Sequence, residues 1–302
     1  STFTTPRTVE VRVPATSANL GPGFDTLGLA LSVYDELSVT ALPEPGLEIT
    51  VEGEGAADVP LDGSHLVVSS MVHAFDALGE KMPGLRLHAR NTIPHGRGLG
   101  SSGAAVASAL RAVQGLLEGR RELTDDELLR LATEIEGHPD NVAPALFGGL
   151  TIAWITPEGP QYKKLLVNRG VAPVVFVPGF TLSTKVARAL QPAQVPHEDA
   201  VFNVSRSALL IAALTQSPEL LLVATEDRLH QDYRAQAMLE TAAVVRALRA
   251  EGFAAVVSGA GPSVLVLCDG PGRRLEAAAV VERVADTPWQ ALMPAVDVKG
   301  AT

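Results

Sequence analysis

From residue 93 to 104 the chain reads Ile93-Pro94-His95-Gly96-Arg97-Gly98-Leu99-Gly100-Ser101-Ser102-Gly103-Ala104, and these residue types suit a phosphate group. Glycine at 96, 98 and 100 permits backbone angles and a close approach that a Cβ would block. The helix expected to follow presents unpaired N–H groups and the positive end of its dipole. Ser101 and Ser102 add hydroxyls for phosphate oxygens or a magnesium ion. Two better-known phosphate loops do not fit. No Gly-Lys-Ser/Thr ends the run, as a Walker A loop requires. The G-x-G-x-G spacing, without a βαβ opening unit, is not the dinucleotide fingerprint either. Taken alone, the pattern also fits a glycine-rich turn capped by serine.

Magnitudes limit what such a loop does by itself. A helix terminus contributes roughly 0.3–1 kcal/mol, and at most about 2, to a nearby anion. A triphosphate in a transferring state needs a divalent metal and further cations. Magnesium takes one or two carboxylates with phosphate oxygens and waters, so one acidic side chain suffices. Glu136, just before Gly137-His138-Pro139-Asp140-Asn141, is the first candidate to join Ser102 at a metal, and Glu134 the second.

The elements that must carry these groups are legible in the hydrophobic pattern. Val9, Val11 and Val13 alternate with polar neighbours, as do Leu47, Ile49 and Val51, and Leu85, Leu87 and Ala89, each as a half-buried strand would. Ala18 to Asp25 is too rich in Gly and Pro to be regular. A helix is expected over 66–78. After the glycine loop, Val106, Leu110, Val113 and Leu117 draw an apolar stripe along one helix face. Thr124 and Glu127 form a capping box for the next helix, and Gly137 is placed to end it. Pro157, Gly159 and Pro160 suggest a boundary there, dividing the chain into an N-terminal domain over 1–157 and a C-terminal domain over 158–302. In the second half, Val174–Val177 reads as a buried strand bounded by Pro173 and Pro178. Helices are expected over 201–214, 218–229 and 234–250, the second with Ser217 as N-cap. Two β-rich runs flank Ser258-Gly259-Ala260-Gly261-Pro262-Ser263. Strands and helices mix without a regular βα beat, which makes the chain α+β in two lobes.

Composition narrows the partners. A length of 302 residues suggests about two domains, and a hydrophobic fraction of 46% supports well-packed cores. A net charge of −10 with no basic run argues against nucleic acid. No apolar stretch reaches the ~18 residues of a membrane span. The opening Ser1-Thr2-Phe3-Thr4-Thr5-Pro6-Arg7 lacks the layout of a signal peptide. The lone Cys268 allows no internal disulfide, and a cytoplasmic location is expected. Assembly stays open, a homodimer being compatible with the sequence.

Three ordered segments resemble the galactokinase–homoserine kinase–mevalonate kinase–phosphomevalonate kinase (GHMP) superfamily: Val13-Pro14-Ala15-Thr16-Ser17-Ala18-Asn19-Leu20-Gly21-Pro22-Gly23-Phe24-Asp25, the loop at 94–103, and the run 258–263. The first of these, with Glu136–Pro144 and Ser183–Arg188, is similar to the homoserine kinase branch. The resemblance implies an N-terminal lobe like ribosomal protein S5 domain 2, a ferredoxin-like C-terminal lobe, and ATP and L-homoserine in the cleft between them. It assigns Pro94, His95, Gly96, Arg97, Gly98, Leu99, Gly100, Ser101, Ser102 and Gly103 to ATP, with Gly259 and Gly261 from the third segment. Arg97 is open to two readings, a phosphate contact or a solvated tip. Relatives tend to carry asparagine at an adenine-facing position where this chain has His65.

A zwitterionic substrate needs a cation for its carboxylate, an acceptor for its ammonium and polar groups that steer its hydroxyl. Arg188 and Arg234 could clamp the carboxylate, and Asp25 could take the ammonium. As the resemblance suggests, Asn19, His138, Asn141 and Thr184 would orient the rest. Asp140 lies where some members of the superfamily carry a general base. Homoserine kinases resemble one another in working by position instead, which a loose transition state allows. On that reading His138, Asp140 and Asn141 are the catalytic group, with Asn141 orienting the hydroxyl and Asp140 structural or assisting the metal.

Overall fold

A computed structural model describes residues 6–302; the first five residues of the opening segment lie outside the described residues. The valine alternation near the N-terminus becomes strand β1 (Arg7–Ala18), which lies antiparallel along β2 (Leu27–Leu42). Opposite Pro14 and Ala15 the register jumps from Tyr34 to Leu31. Proline cannot donate to a ladder, and a bulge is one place where a sheet accommodates it. The second half of β1 is thereby aimed at the glycine loop, where the Thr16 amide donates to the Leu99 carbonyl at 3.1 Å.

The other edge of β2 is shared by β4 (Gly84–Asn91) and β5 (Leu150–Thr156). β3 (Leu47–Gly53) runs parallel to β4, and β6 (Gly159–Leu165) closes a hairpin with β5. The sheet order is β3-β4-β2-β5-β6, with β1 on β2. The hairpin turn falls at the expected 157/158 boundary, so the first sheet continues through Leu165. Proline and glycine mark the turn of this hairpin.

Four helices cover this sheet: α1 (Leu66–Ala77), α2 (Ser101–Leu116), α3 (Asp125–Glu136) and the short α4 (Val142–Phe147). The α2 stripe is buried as its spacing predicts, Val106, Leu110, Val113 and Leu117 each at most 1% exposed. The capping box is present in α3, both Thr124 and Glu127 bonding back to each other's backbone N–H, and Gly137 ends the helix at φ 93°.

The second sheet, β10 (Trp289–Leu292), β7 (Val171–Pro178), β9 (Val264–Asp269) and β8 (Ala254–Val257) in that order, is antiparallel throughout. Between β7 and β8 run α5 (Thr184–Ala189), α6 (His197–Thr215), α7 (Leu221–Ala224), α8 (Gln231–Arg234) and α9 (Leu239–Ala250). α10 (Arg273–Val284) joins β9 to β10. This βαββαβ path is ferredoxin-like. Val174 and Phe176 of β7 pack with Val244 and Val280 of α9 and α10. Val175 and Val177 join the large core that also contains Leu210 and Leu214 of α6. Both faces are covered, so β7 and β9 read as unbroken apolar runs instead of alternating ones.

Three expectations are corrected here. β7 begins at Val171 and includes Pro173, which sits where β10 does not yet pair and the strand has one neighbour. The helix expected over 218–229 is only a 3₁₀ turn at Pro218–Leu220 followed by α7, and Ser217 makes no side-chain cap. Beyond Thr225 the Asp227 carboxylate takes the N–H groups of Leu229, His230 and Gln231, at 3.0, 3.1 and 2.9 Å. A side chain thus replaces the helical carbonyls. The helix expected over 234–250 begins only at Leu239, after a second 3₁₀ turn.

Candidate active site

The glycine loop enters α2 between the lobes. Gly96, Gly98 and Gly100 have φ of 64°, 79° and 71°, the left-handed region that favours glycine. Space is as restrictive as angle at two of them. A Cβ on Gly98 would stand 2.2 Å from the Ser258 carbonyl oxygen, and one on Gly100 would stand 2.1 Å from Thr16 Oγ1. The loop is fastened to the C-terminal lobe: Ser258 Oγ donates to the Gly98 carbonyl at 2.7 Å, and the Ser263 amide to the Arg97 carbonyl at 3.1 Å. Ser17 shares a 2.8 Å hydroxyl contact with Ser258. Pro94 and Leu99 are buried beneath the loop, while Ser102 is exposed on the first turn of α2 above buried Gly103.

Arg97 matches neither of its two readings. Its guanidinium donates to the carbonyls of His95, Pro178 and Gly179 at 2.7, 2.9 and 3.2 Å. It ties the loop to the end of β7, part-exposed but held by backbone carbonyls.

Beside the start of α2 lies a cavity of about 300 Å³, lined by His65, Leu37, Val67, Ala89, His95, Ser101 and Ser102 among others. Apolar walls with a few polar groups are what a nucleobase and ribose require. His65 caps α1, its Nδ1 accepting from the Val67 amide at 3.2 Å, and burial pushes its pKa down. Asp35, at the rim, accepts from the Thr92 and Ile93 amides at 2.7 and 2.9 Å and so holds the strand end that leads into the loop. Burial raises its pKa.

On the other side of the loop stand the groups expected to hold a zwitterion. Asn19 is buried, and its amide is used internally: Nδ2 donates to the Gly259 carbonyl at 3.0 Å, and Oδ1 accepts from the Asp25 amide at 2.9 Å. Asp25, at φ 57°, forms a bidentate pair with Arg188, both bonds 3.2 Å. Arg234 is 2% exposed, with Nη1 on the Gly259 carbonyl at 3.3 Å, its charge 5.3 Å from the Phe24 ring, and Nε without a partner. Burial pushes its pKa down. Phe24 in turn stacks on buried His230, at 4.8 Å between ring centroids, and His230 Nε2 donates to the Gly21 carbonyl at 2.6 Å. Thr184 is exposed at the start of α5, one turn before Arg188.

The segment joining α3 to α4 supplies the remaining groups. His138 Nδ1 donates to buried Asp140, and this hydrogen bond raises the histidine's pKa. Thr16 Oγ1 donates to Asn141 Oδ1 at 3.0 Å, and a Cβ on Gly103 would lie 3.3 Å from the Asn141 Cβ. Asn141 therefore sits against the first turn of α2. Glu136 ends α3 just before this segment, and its Oε1 is buried with no hydrogen-bond partner. Buried carboxylate oxygens are normally satisfied, so an unpaired one suits a cation. Among the described residues no three His, Cys, Asp or Glu side chains cluster as a metal cage. Glu134, the alternative, is bonded to His73 at 2.8 Å.

Gly259 (φ 55°) and Gly261 (φ 87°) turn the loop between β8 and β9 in the left-handed region. The Gly259 amide donates to the Ala18 carbonyl at 3.1 Å, and its own carbonyl receives Asn19 and Arg234. Thr16, Ser17, Phe24, Asp35, Ser258 and His230 were not singled out from sequence. The first three and Ser258 lie inside the recognised motifs, which was the available signal. His230 opens the short run His230-Gln231-Asp232-Tyr233-Arg234 that supports Arg234, and Asp35 gave no signal.

A phosphate loop on a helix N-terminus, set in a cleft between two such lobes and facing buried charges of both signs, defines a small-molecule kinase of the GHMP type. Residues 65–149 match the family model for the GHMP kinases N terminal domain, and 207–287 that for the GHMP kinases C terminal domain. The chain is 66% identical to the homoserine kinase of Clavibacter michiganensis subsp. michiganensis, over 100% of this chain and 96% of the relative. It is 51% identical to that of Streptomyces coelicolor, over 97% and 94%. The crystal structure of homoserine kinase from Cytophaga hutchinsonii superposes with a TM-score of 0.85 at 27% identity, covering 98% of this chain and 96% of that one. The chain belongs to the homoserine kinase family.

Proposed function

We propose that this protein transfers the γ-phosphoryl group of ATP to the side-chain hydroxyl of L-homoserine, giving O-phospho-L-homoserine and ADP, the step that commits homoserine to threonine biosynthesis. The observation that carries the reading is the meeting, in one cleft, of the Gly98–Gly100 loop with Asp25, Arg188, Arg234 and Asn141. The ammonium of the amino acid goes to Asp25 and its carboxylate to Arg188, with Arg234 as the buried second cation. The side-chain hydroxyl then points to Asn141, beside the first turn of α2 where the γ-phosphate lies.

In the reaction the hydroxyl oxygen forms a bond to the γ-phosphorus as the bond to the β,γ-bridging oxygen breaks, and ADP leaves. A loose transition state asks little of the nucleophile, so the residues work by placement. Asn141 orients the hydroxyl. Asp140, committed to His138, holds that segment in place. Glu136 and Ser102 would hold magnesium, which neutralises charge on the β- and γ-phosphates when bound. Glu136→Gln is expected to raise the magnesium concentration needed for half-maximal rate at least about tenfold while the metal-free protein melts unchanged; an unaltered requirement would remove Glu136 from the site.

A cytoplasmic location and assembly as a homodimer belong to the same reading; among the described residues no helix is long and apolar enough to cross a membrane. Coupled ADP-release assays with L-homoserine, L-threonine and mevalonate test the acceptor. L-Homoserine is expected to be strongly preferred, and an equal rate on mevalonate, which has no ammonium for Asp25, would overturn the assignment.

A further inference from the structure

Asp25 and Arg188, assigned above to the two charges of the substrate, are bonded to each other. Arg188 Nη1 and Nη2 donate to Asp25 Oδ2 and Oδ1 at 3.2 Å each. The partners are 163 residues apart, one on the loop after β1 and the other on the last turn of α5, so the pair bridges the two lobes. It is open to an arriving ligand, with side-chain exposures of 44% for the arginine and 36% for the aspartate. Arg234 is near enough to feel the charge of Asp25 but is buried, with Nη1 on the Gly259 carbonyl, and His138 is engaged with Asp140; Arg188 is the cation hydrogen-bonded to Asp25.

We infer that the Asp25–Arg188 pair is a selectivity lock: in the ligand-free protein it occupies both charge sites, and a molecule carrying an ammonium and a carboxylate on the same carbon is the ligand that can replace both halves at once. A ligand with a carboxylate alone would take Arg188 and leave Asp25 without its partner. A ligand with an ammonium alone would do the reverse. The lock rests on the assignment of these two residues to the substrate's charges, and it adds that each site is closed by the other. Exchange is feasible because a part-exposed pair is held only weakly. Its strength corresponds to a factor of about two to five, enough to discriminate and small enough for a zwitterion to open.

The test compares kcat/KM for L-homoserine, for 4-hydroxybutyrate, which lacks the ammonium, and for 3-aminopropan-1-ol, which lacks the carboxylate. The proteins are the wild type, Asp25→Asn and Arg188→Gln. Asparagine tolerates the left-handed backbone at 25, and Arg188→Gln provides a second variant on the other lobe. Asp25→Asn is expected to lose at least about tenfold on L-homoserine yet gain about two- to fivefold on 4-hydroxybutyrate, because Arg188 is released. Arg188→Gln is expected to mirror this on 3-aminopropan-1-ol. A loss on L-homoserine with no gain on either analogue would overturn the lock and leave the site assignment standing. Full retention of L-homoserine turnover in Asp25→Asn would overturn the assignment itself. Relief of repulsion between Asp25 and a ligand carboxylate would also raise the analogue rate, so a double-mutant cycle on urea unfolding of the ligand-free protein is the second measurement. Coupling of about two- to fivefold in the unfolding equilibrium is expected, and zero coupling would overturn the lock.

Discussion

Asn19 and Gly259, 240 residues apart in the chain, are joined by a buried hydrogen bond of 3.0 Å from the side-chain amide of one to the carbonyl of the other. The same carbonyl receives Arg234, and the same asparagine holds the Asp25 backbone. This amide thus joins His230, bonded to the Gly21 carbonyl, in setting the substrate loop against the C-terminal lobe. Removing the amide by Asn19→Ala leaves the part-buried Asp25 N–H unmet and the Gly259 carbonyl with Arg234 alone, a cost of about 1–3 kcal/mol. Urea unfolding should show that loss, and steady-state kinetics should show KM for L-homoserine rising more than KM for ATP. Unchanged values of both KM would mean that Asn19 does not position the site.

Gly98→Ala is expected to disable the enzyme through its neighbours. The new Cβ would lie 2.2 Å from the Ser258 carbonyl at a φ of 79°, so the loop must move from the lobe that fastens it. Gly79→Ala is the control, since Gly79 has a φ of 68° and nothing within 4 Å of a Cβ. Both variants carry backbone strain of about 1–2 kcal/mol, but only Gly98→Ala should also lose most of its turnover. Comparable activity in the two would refute the contact as the reason for glycine at 98.

Asp35 separates its hydrogen bonds from its charge. Burial raises its pKa despite two backbone donors. For a raised carboxylate, the folded state binds the proton more tightly than the unfolded chain. Stability therefore falls as pH rises from the ordinary carboxylate pKa through the folded one, and the cost persists at neutral pH. Asp35→Asn keeps an acceptor and removes the charge, so its melting temperature at pH 7 should equal or exceed that of the wild type. Asp35→Ala should lose about 1–3 kcal/mol. A strongly destabilised Asp35→Asn would contradict this.

The His138–Asp140 pair has the opposite chemistry. Its hydrogen bond raises the histidine's pKa, so its stabilisation is complete below the ordinary histidine value and is lost as pH rises through the folded value. Asp140→Asn should flatten that part of the pH–stability curve and still retain measurable turnover, with Asn141→Ala the more damaged of the two. A near-dead Asp140→Asn that binds L-homoserine normally would mean that Asp140 is a base.

What could be read from sequence was what local chemistry determines. The α3 cap at Thr124 and Glu127, the α2 stripe from Val106 to Leu117, and the glycine loop all depend on residues within a turn or two of one another. The resemblance extended this to the family. Long-range commitments were not legible. Arg97 looked free, and its guanidinium is taken up by carbonyls up to 82 residues away. The 218–229 helix failed because the Asp227 carboxylate competes with the helical pattern, and Asn203, from α6, steadies Asp227 at 3.1 Å. Asp35 sits in an ordinary strand pattern, and its role appears only when β4's exit is beside it. Thr184 matched its motif context, and it lies exposed at the start of α5.

Phosphorus NMR of a reaction containing the protein, ATP, magnesium and L-homoserine tests the central claim most directly. The account predicts a phosphomonoester resonance coupled to the side-chain methylene protons of homoserine, appearing in step with ADP. ADP appearing with inorganic phosphate alone, at a rate indifferent to L-homoserine, would contradict it.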